Sequence, residues 1–430
     1  MIFRFLILFA FGVSLLTASE GYATLGDEQL AAYIEEALRE NPSIKEAFNR
    51  YQAGLAKAPQ VGTLPDPVLS LTQFTRSTET RVGPQQGMVS ITQRIPWWGK
   101  LSDREQIAGK EAEALSAGYE MRRDEVVRRV KLAYYDLRYI DAAVKITEED
   151  LDLLRHFETL AQARYAQGVG LQQAVVKLQA ELTRDLNRLE ILRRQRVDAE
   201  AALNALLGAN PNEPRATSAR AVPPEADLRY ETLIALAREN RPELEADFHQ
   251  IEAEEQRIRL ARRDYLPDLT LGASYTDVGG REDPAGRASP PPDNGKNVLS
   301  FTVGVNIPIF RAKYDGALRE ASERFAAARH RYRDTTNQVA AGIRATSFRI
   351  ETIATQVNLF ENTLLPQAEQ ALRSSESAYS TGTLGVLDLL DSERILLDVR
   401  LGLAQLNADY LKGLAELERT LGAEFPRSRP

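Results

Sequence analysis

Tyr165-Ala-Gln-Gly168 recurs as Tyr379-Ser-Thr-Gly382, and Leu207-Gly208 recurs as Leu421-Gly422. The displacement is the same in both cases, because 379 minus 165 and 421 minus 207 each give 214. Upstream, Glu40-Asn41-Pro42 is echoed by Glu239-Asn240-Arg241-Pro242, Leu64-Pro65-Asp66 by Leu266-Pro267-Asp268, and Ile95-Pro96 by Ile307-Pro308. An ordered set of landmarks that occurs twice predicts an internal duplication. The 430 residues are then two halves of one structure: a first repeat over 24–209, a crossover over 210–226 rich in Pro and Ala, a second repeat over 227–425, and a tail over 426–430.

Each repeat opens with a helix and then carries two short alternating segments. Val298 to Pro308 places Leu299, Phe301, Val303, Val305 and Ile307 on one side and Ser300, Thr302, Gly304 and Asn306 on the other, which is strand periodicity. Asp268 to Val278 repeats the pattern, and Asp66 to Thr75 and Gly87 to Pro96 are weaker versions of it. Strands are expected over about 66–75, 87–96, 268–278 and 298–308. Each is about ten residues, the length of a tilted membrane strand, although a half-buried soluble hairpin has the same period. The polar stretch Arg76 to Gln86 and the turn-rich stretch Asp277 to Asn297 read as loops between paired strands.

The rest of each repeat is helical by composition and period, as a long hairpin over about 99–208 and again over about 311–422. Leu171, Val175, Leu178, Leu182, Leu186 and Leu189 form one apolar series, and Leu403, Leu406, Tyr410, Leu414, Leu417 and Leu421 form another. Both tracts stop at Leu-Gly, a common helix end. The tracts before them, about Lys100 to Ala166 and Tyr314 to Ser380, are nearly free of proline, and Pro366 is a point for a kink or split. Roughly 65 helical residues reach about 100 Å, so such helices need partners along their length.

Composition narrows the function. A formal net charge of -7 argues against a phosphate-binding surface, and hence against nucleic acid. With no cysteine and with His156, His249 and His330 scattered, neither a thiolate metal site, nor a disulfide framework, nor a lipidated cysteine, nor a catalytic triad has material. No catalytic constellation, cofactor site or metal cluster is expected. At the N-terminus, Arg4, the apolar run Phe5 to Leu16 and Gly21-Tyr22-Ala23 predict a secretory signal peptide over 1–23, with an uncleaved anchor as the alternative. No later segment is apolar enough to span a membrane as a helix, so any crossing is expected to use strands.

Strand, strand, long helix, tight turn and long helix, duplicated behind a signal peptide, resembles the TolC-like outer-membrane efflux channel family over essentially the whole mature chain. The corner Ile91-Thr-Gln-Arg-Ile-Pro-Trp-Trp-Gly-Lys-Leu101 is similar to that of the branch serving heavy-metal and other resistance-nodulation-division pumps. Tyr379-Ser-Thr-Gly-Thr-Leu-Gly-Val-Leu-Asp388-Leu-Leu-Asp391 matches the family's spacing of a tyrosine, a glycine and two aspartates beside the periplasmic entrance. The resemblance implies a mixed fold, a membrane β-barrel continued by a helical coiled-coil tunnel. It implies a homotrimer in which each chain gives four strands to the barrel and four helical stretches to the tunnel. The implied partners are a periplasmic adaptor, an inner-membrane pump and outer-membrane lipid, for a passive exit duct in the outer membrane extending into the periplasm. The rival reading is a periplasmic or secreted coiled-coil scaffold, for which four strands with an apolar side have no use.

The resemblance also assigns candidate residues. Asp388 and Asp391, three apart and so on one helix face, would ring a constriction together with Leu384, which stands where the family type has a lock-forming arginine. A solvated helix start is the plainer reading of the two aspartates. Tyr165, Gly168, Gly170, Tyr379, Gly382 and Gly385 mark the helix-to-helix turns where the adaptor docks. Trp97 and Trp98 suit either an aromatic girdle at the membrane boundary or core packing at the corner. The exported substrate, the identity of pump and adaptor, the gating at Leu384 and the cleavage site are left open by the sequence.

Overall fold

The structure is a computed structural model and describes residues 27–218 and 226–425. The expected signal peptide, part of the crossover and the C-terminal tail lie outside the described residues. The first repeat supplies α1 (Glu28–Glu40), α2 (Pro42–Gly62), β1 (Val68–Thr80), β2 (Gly83–Ile95), α3 (Lys100–Ala166) and α4 (Gln172–Leu207). The second supplies α5 (Tyr230–Asn240), α6 (Pro242–Arg263), β3 (Leu269–Val278), a short α7 (Pro284–Ala288), β4 (Val298–Val305), α8 (Arg311–Leu359), α9 (Leu365–Thr381) and α10 (Val386–Leu421). A π-turn over Phe360–Leu364 joins α8 to α9 just before Pro366. There the Leu365 N–H reaches back to the Phe360 carbonyl, so the proline enters a helical start, where its missing N–H costs little.

Compact packing does not follow the repeats. Among the described residues, one unit gathers 27–45, 121–218, 226–241 and 337–425, and the other gathers 46–120 and 242–336, so each draws corresponding parts from both repeats. Neither repeat holds a complete core of its own.

The second unit holds the four strands as one antiparallel sheet in the order β1-β2-β3-β4. Its register explains the alternation seen in sequence. Ser70 pairs with Ser90, Ser90 with Ser274, and Ser274 with Ser300, whose hydroxyls meet at 2.7 Å. One residue away, Leu69–Ile91–Ala273–Phe301 and Leu71–Val89–Tyr275–Leu299 cross the sheet on the opposite face. Among the described residues nothing covers that apolar face, with Phe301 79% exposed.

The first hairpin departs from expectation. Residues 76–86, read as a polar loop, are almost wholly strand, and β1 and β2 are joined by Arg81-Val82 alone. A register shift between Gln73 and Thr78 carries the pairing through the polar stretch, because antiparallel backbone bonds do not require apolar side chains. The long stretch after β3 folds back onto this turn, donating from Gly279 N–H to the Pro84 carbonyl (2.8 Å) and from Gly295 N–H to the Val82 carbonyl (2.7 Å).

In the first unit the duplicated landmarks turn out to be matching joints. The Asn41 side chain donates to the Leu206 carbonyl at 2.7 Å, where α4 ends at Gly208. Arg241 donates to the Thr420 carbonyl, where α10 ends at Gly422. In each repeat a polar side chain at the junction of two short helices thus caps the Leu-Gly end of the long one. The crossover is fastened beside the first joint: Arg215, buried, forks onto Glu36 (2.9 and 3.1 Å) and donates to Asn204. The apolar series expected on α4 is only partly the buried one. Leu178 and Leu189 are buried, whereas Leu171 and Leu186 are exposed.

Candidate functional site

Three places carry the candidate residues. Two lie in the first unit, and one, the strand-to-helix corner, lies in the second.

At the corner, Asp268 is the organiser. Lys100 Nζ donates to its Oδ1 (2.8 Å), the Trp97 N–H to the same oxygen (3.0 Å), and Arg94 to Oδ2 (2.7 Å). Burial alone would raise this carboxyl, but the Lys100, Trp97 and Arg94 donors outweigh it and hold it down to about 2. Lys100 also reaches the Leu266 carbonyl at 2.9 Å. Trp97 and Trp98 stack edge to face with centroids 5.1 Å apart, Trp97 half-buried and Trp98 75% exposed. The Leu266-Pro267-Asp268 landmark was visible in sequence as an echo, but its role as the corner's anion was not.

The two helix-to-helix turns share one hydrogen-bond scheme displaced by 214 residues. Val169 and Gly170 N–H donate to the Arg164 carbonyl at 3.1 and 3.0 Å, and Thr383 and Leu384 N–H donate to the Ala378 carbonyl at 3.0 and 3.2 Å. Gly168 (φ +74) and Gly382 (φ +83) occupy the left-handed position that this reversal requires. Gly385 is different. It is the extended residue before α10 and is not held in a left-handed conformation. Gly170 is needed for closeness instead, since a Cβ there would lie 2.8 Å from the Tyr165 nitrogen.

The turns are tied together by a residue that the sequence reading passed over. Arg164 lies 5.2 Å over the ring of Tyr379, donates to the Tyr379 carbonyl, and donates to the Ser380 carbonyl at 3.1 Å. A guanidinium therefore neutralises the carbonyl end of α9. Leu384 is half-buried and supplies no polar lock, and Arg164 from the other hairpin makes the polar tie instead. Tyr379 is buried in the apolar cluster of α3, α4, α9 and α10 that includes Leu154, Phe157, Leu178 and Leu389, whereas Tyr165 is exposed. Asp388 and Asp391 are both exposed, beside the buried pair Leu389 and Leu390.

Farther along the same helices lies a third group. Ile140, Thr147, Leu154 and Ala161 of α3 are buried at seven-residue steps, and so are Ala143, Asp150 and Phe157. Asp150 thus fills a core position of a heptad seam. Asp185 does the same on α4, between buried Leu178 and Leu192, and Glu393 on α10, between buried Leu389 and Leu396. Oxygen atoms of the three carboxylates lie within 4.8 Å of one another. Burial, then the neighbouring Asp185 and Glu393, push Asp150 well above the carboxylate range, and burial likewise pushes Glu393 up. The signal was available in sequence, as acids at heptad core positions, but the three residues stand on separate helices. A second acidic group, Glu113, His249 and Glu252, is half-exposed and carries its own cation, since Lys110 reaches Glu113 (2.7 Å) and Glu252 (3.1 Å).

The four-stranded sheet carries an exposed apolar face, and among the described residues no helix is long and apolar enough to cross a membrane. The family model for outer membrane efflux proteins matches residues 33–209 and 233–423, and the chain belongs to that family. Nodulation protein T of Rhizobium leguminosarum bv. trifolii is 22% identical, with 94% of this chain and 87% of that protein covered. The cobalt-zinc-cadmium resistance protein CzcC of Cupriavidus metallidurans is 22% identical, with 92% and 90% covered. The outer membrane protein VceC from Vibrio cholerae has the same fold, with TM-score 0.75 at 22% identity over 93% of this chain and 97% of that one. The family is one of outer-membrane efflux channels rather than enzymes, which places this chain in the outer membrane.

Proposed function

We propose that the chain is the outer-membrane exit duct of a tripartite efflux system, passively conducting solutes that an inner-membrane pump delivers through a periplasmic adaptor. The observation that carries this reading is the sheet. It has an exposed apolar face, a Ser/Thr/Gly face opposite, and two edge strands, β1 and β4, without further strand partners among the described residues. Open edges are forbidden in lipid. Closure with two further copies, giving a barrel of twelve strands, satisfies every edge. In this reading the two glycine turns receive the adaptor, Asp388, Asp391 and Leu384 of three chains line the entrance, and Trp97 and Trp98 mark the membrane boundary.

The cargo is set upstream of the duct, by the pump. The test is assembly of the mature protein in mild detergent. Phe301→Arg and Val303→Arg should destabilise the trimer by about 2–4 kcal/mol, because each sets a cation against mid-bilayer lipid. Thr302→Arg, on the polar face, should assemble normally. Equal damage at all three positions, or recovery of the native protein as a soluble monomer, would overturn the channel reading.

A further inference from the structure

We propose that Asp150, Asp185 and Glu393 form a binding site for one hard divalent cation of about calcium size in each chain. The three carboxylates come from α3, α4 and α10, within one compact unit, and are 8%, 1% and 1% exposed. Both oxygens of Glu393, both of Asp185 and one of Asp150 are buried without a hydrogen bond. Buried carboxylate oxygens ordinarily have donors, and five orphaned in one place mark a position built for a ligand that supplies charge from outside the chain.

Size and charge agree on what that ligand is. One oxygen from each of the three carboxylates lies within 4.8 Å of the others, close enough for all three to reach one cation with the bonds of about 2.3–2.6 Å usual for Ca²⁺. An all-carboxylate donor set selects a hard cation over a soft one. Arg188 Nη1 approaches Asp185 Oδ1 at 3.2 Å without hydrogen-bond alignment. The nearby Glu181 is already held by Arg184 and Arg394. Counting Glu181 with its two partners, four carboxylates face three guanidiniums, Arg184, Arg188 and Arg394, so the group keeps an excess of negative charge that a cation offsets. Access is available on the Asp150 side, where a cavity of about 360 Å³ is bordered by Glu149, Glu369, Arg373 and Arg400. Once bound, the cation fastens α10 to the α3–α4 hairpin.

The experiment uses the mature full chain in mild detergent, stripped with chelator and titrated with CaCl₂ by calorimetry. The background carries Asp388→Asn and Asp391→Asn, so that exposed aspartates do not contribute. One Ca²⁺ per chain is expected, with a Ca²⁺-dependent rise in melting temperature. Glu393→Gln and Asp185→Asn should each weaken binding at least about tenfold while the metal-free fold stays intact, because each removes a buried charge. Two results overturn the site. One is the absence of stoichiometric Ca²⁺ uptake, which means that protons alone occupy the cluster. The other is Ca²⁺ binding that neither substitution changes. Because uptake and melting are read without conduction or trimer assembly, failure here is distinct from failure of the channel reading.

Discussion

Asp268 at the strand-to-helix corner and the Asp150–Asp185–Glu393 group in the helical unit are both buried acids, and the chain treats them in opposite ways. Asp268 is met by a buried lysine, an arginine and a backbone amide, and stays ionised. The three helical acids chiefly meet one another, and Asp150 and Glu393 are driven toward their neutral forms. Desolvation is common to both places, so the sign of the outcome depends on where the cations lie. The corner carries its counter-charge in its own sequence. The cluster leaves it to a small ligand.

Four variants test that contrast, taken from the largest expected effect to the smallest. Asp268→Asn should cost about 3–5 kcal/mol in thermal or denaturant unfolding, because it removes the close anion of the buried Lys100 ammonium and leaves only Asp264 at 3.6 Å. The same contact fixes a pH dependence. With a folded value of about 2 against roughly 4 when unfolded, its contribution is complete above about pH 4 and is lost as pH falls through about 2. The Asn variant should therefore lose the acid-side step of the wild type. An unchanged acid profile would mean that the corner owes little to this ion pair.

Glu393→Gln should act in the opposite direction, raising metal-free stability at pH 8 by on the order of 1–3 kcal/mol, since a neutral amide removes the buried charge that Glu393 takes on above its raised value of about 7. A loss of similar size would show that the cluster is internally compensated and would erase the contrast with Asp268. Arg164→Ala removes a cation that faces carbonyls rather than a carboxylate. The expected cost is about 1 kcal/mol, with faster backbone hydrogen exchange confined to the Tyr379–Gly382 turn. Exchange that quickens throughout α9 would indicate a wider role for this residue.

Asp388→Asn with Asp391→Asn is the exposed control and should change stability by less than about 0.5 kcal/mol. If, as proposed, three chains bring these aspartates to the entrance, six carboxylates there draw cations, and single-channel recordings should show lower cation selectivity in the double variant. Unchanged selectivity would return these aspartates to the plainer role of a solvated helix start.

Much of this was present in the residue order. The serine ladder and the apolar face follow from period-two alternation, which local sequence displays directly. Gly168 and Gly382 were legible for the same reason, because a left-handed residue at a helix end is a local requirement. The strand character of residues 76–86 was not legible. Backbone pairing depends on the partner strand, and the polar side chains there gave no periodic signal.

Sequence by itself thus determined the duplication, which a comparison of the two copies displays, together with the alternation of strand and long helix and the positions where helices stop, since those two rest on residues within a few places of one another. Tertiary structure alone decided which acids find cations, that Arg164 closes on Tyr379, and that the compact units cut across the repeats. Asp150, Asp185 and Glu393 are separated by 35 and 208 residues, as 185 minus 150 and 393 minus 185 give. Electrostatic interaction depends on distance through space and on exclusion of water, and only packing of the helices sets either.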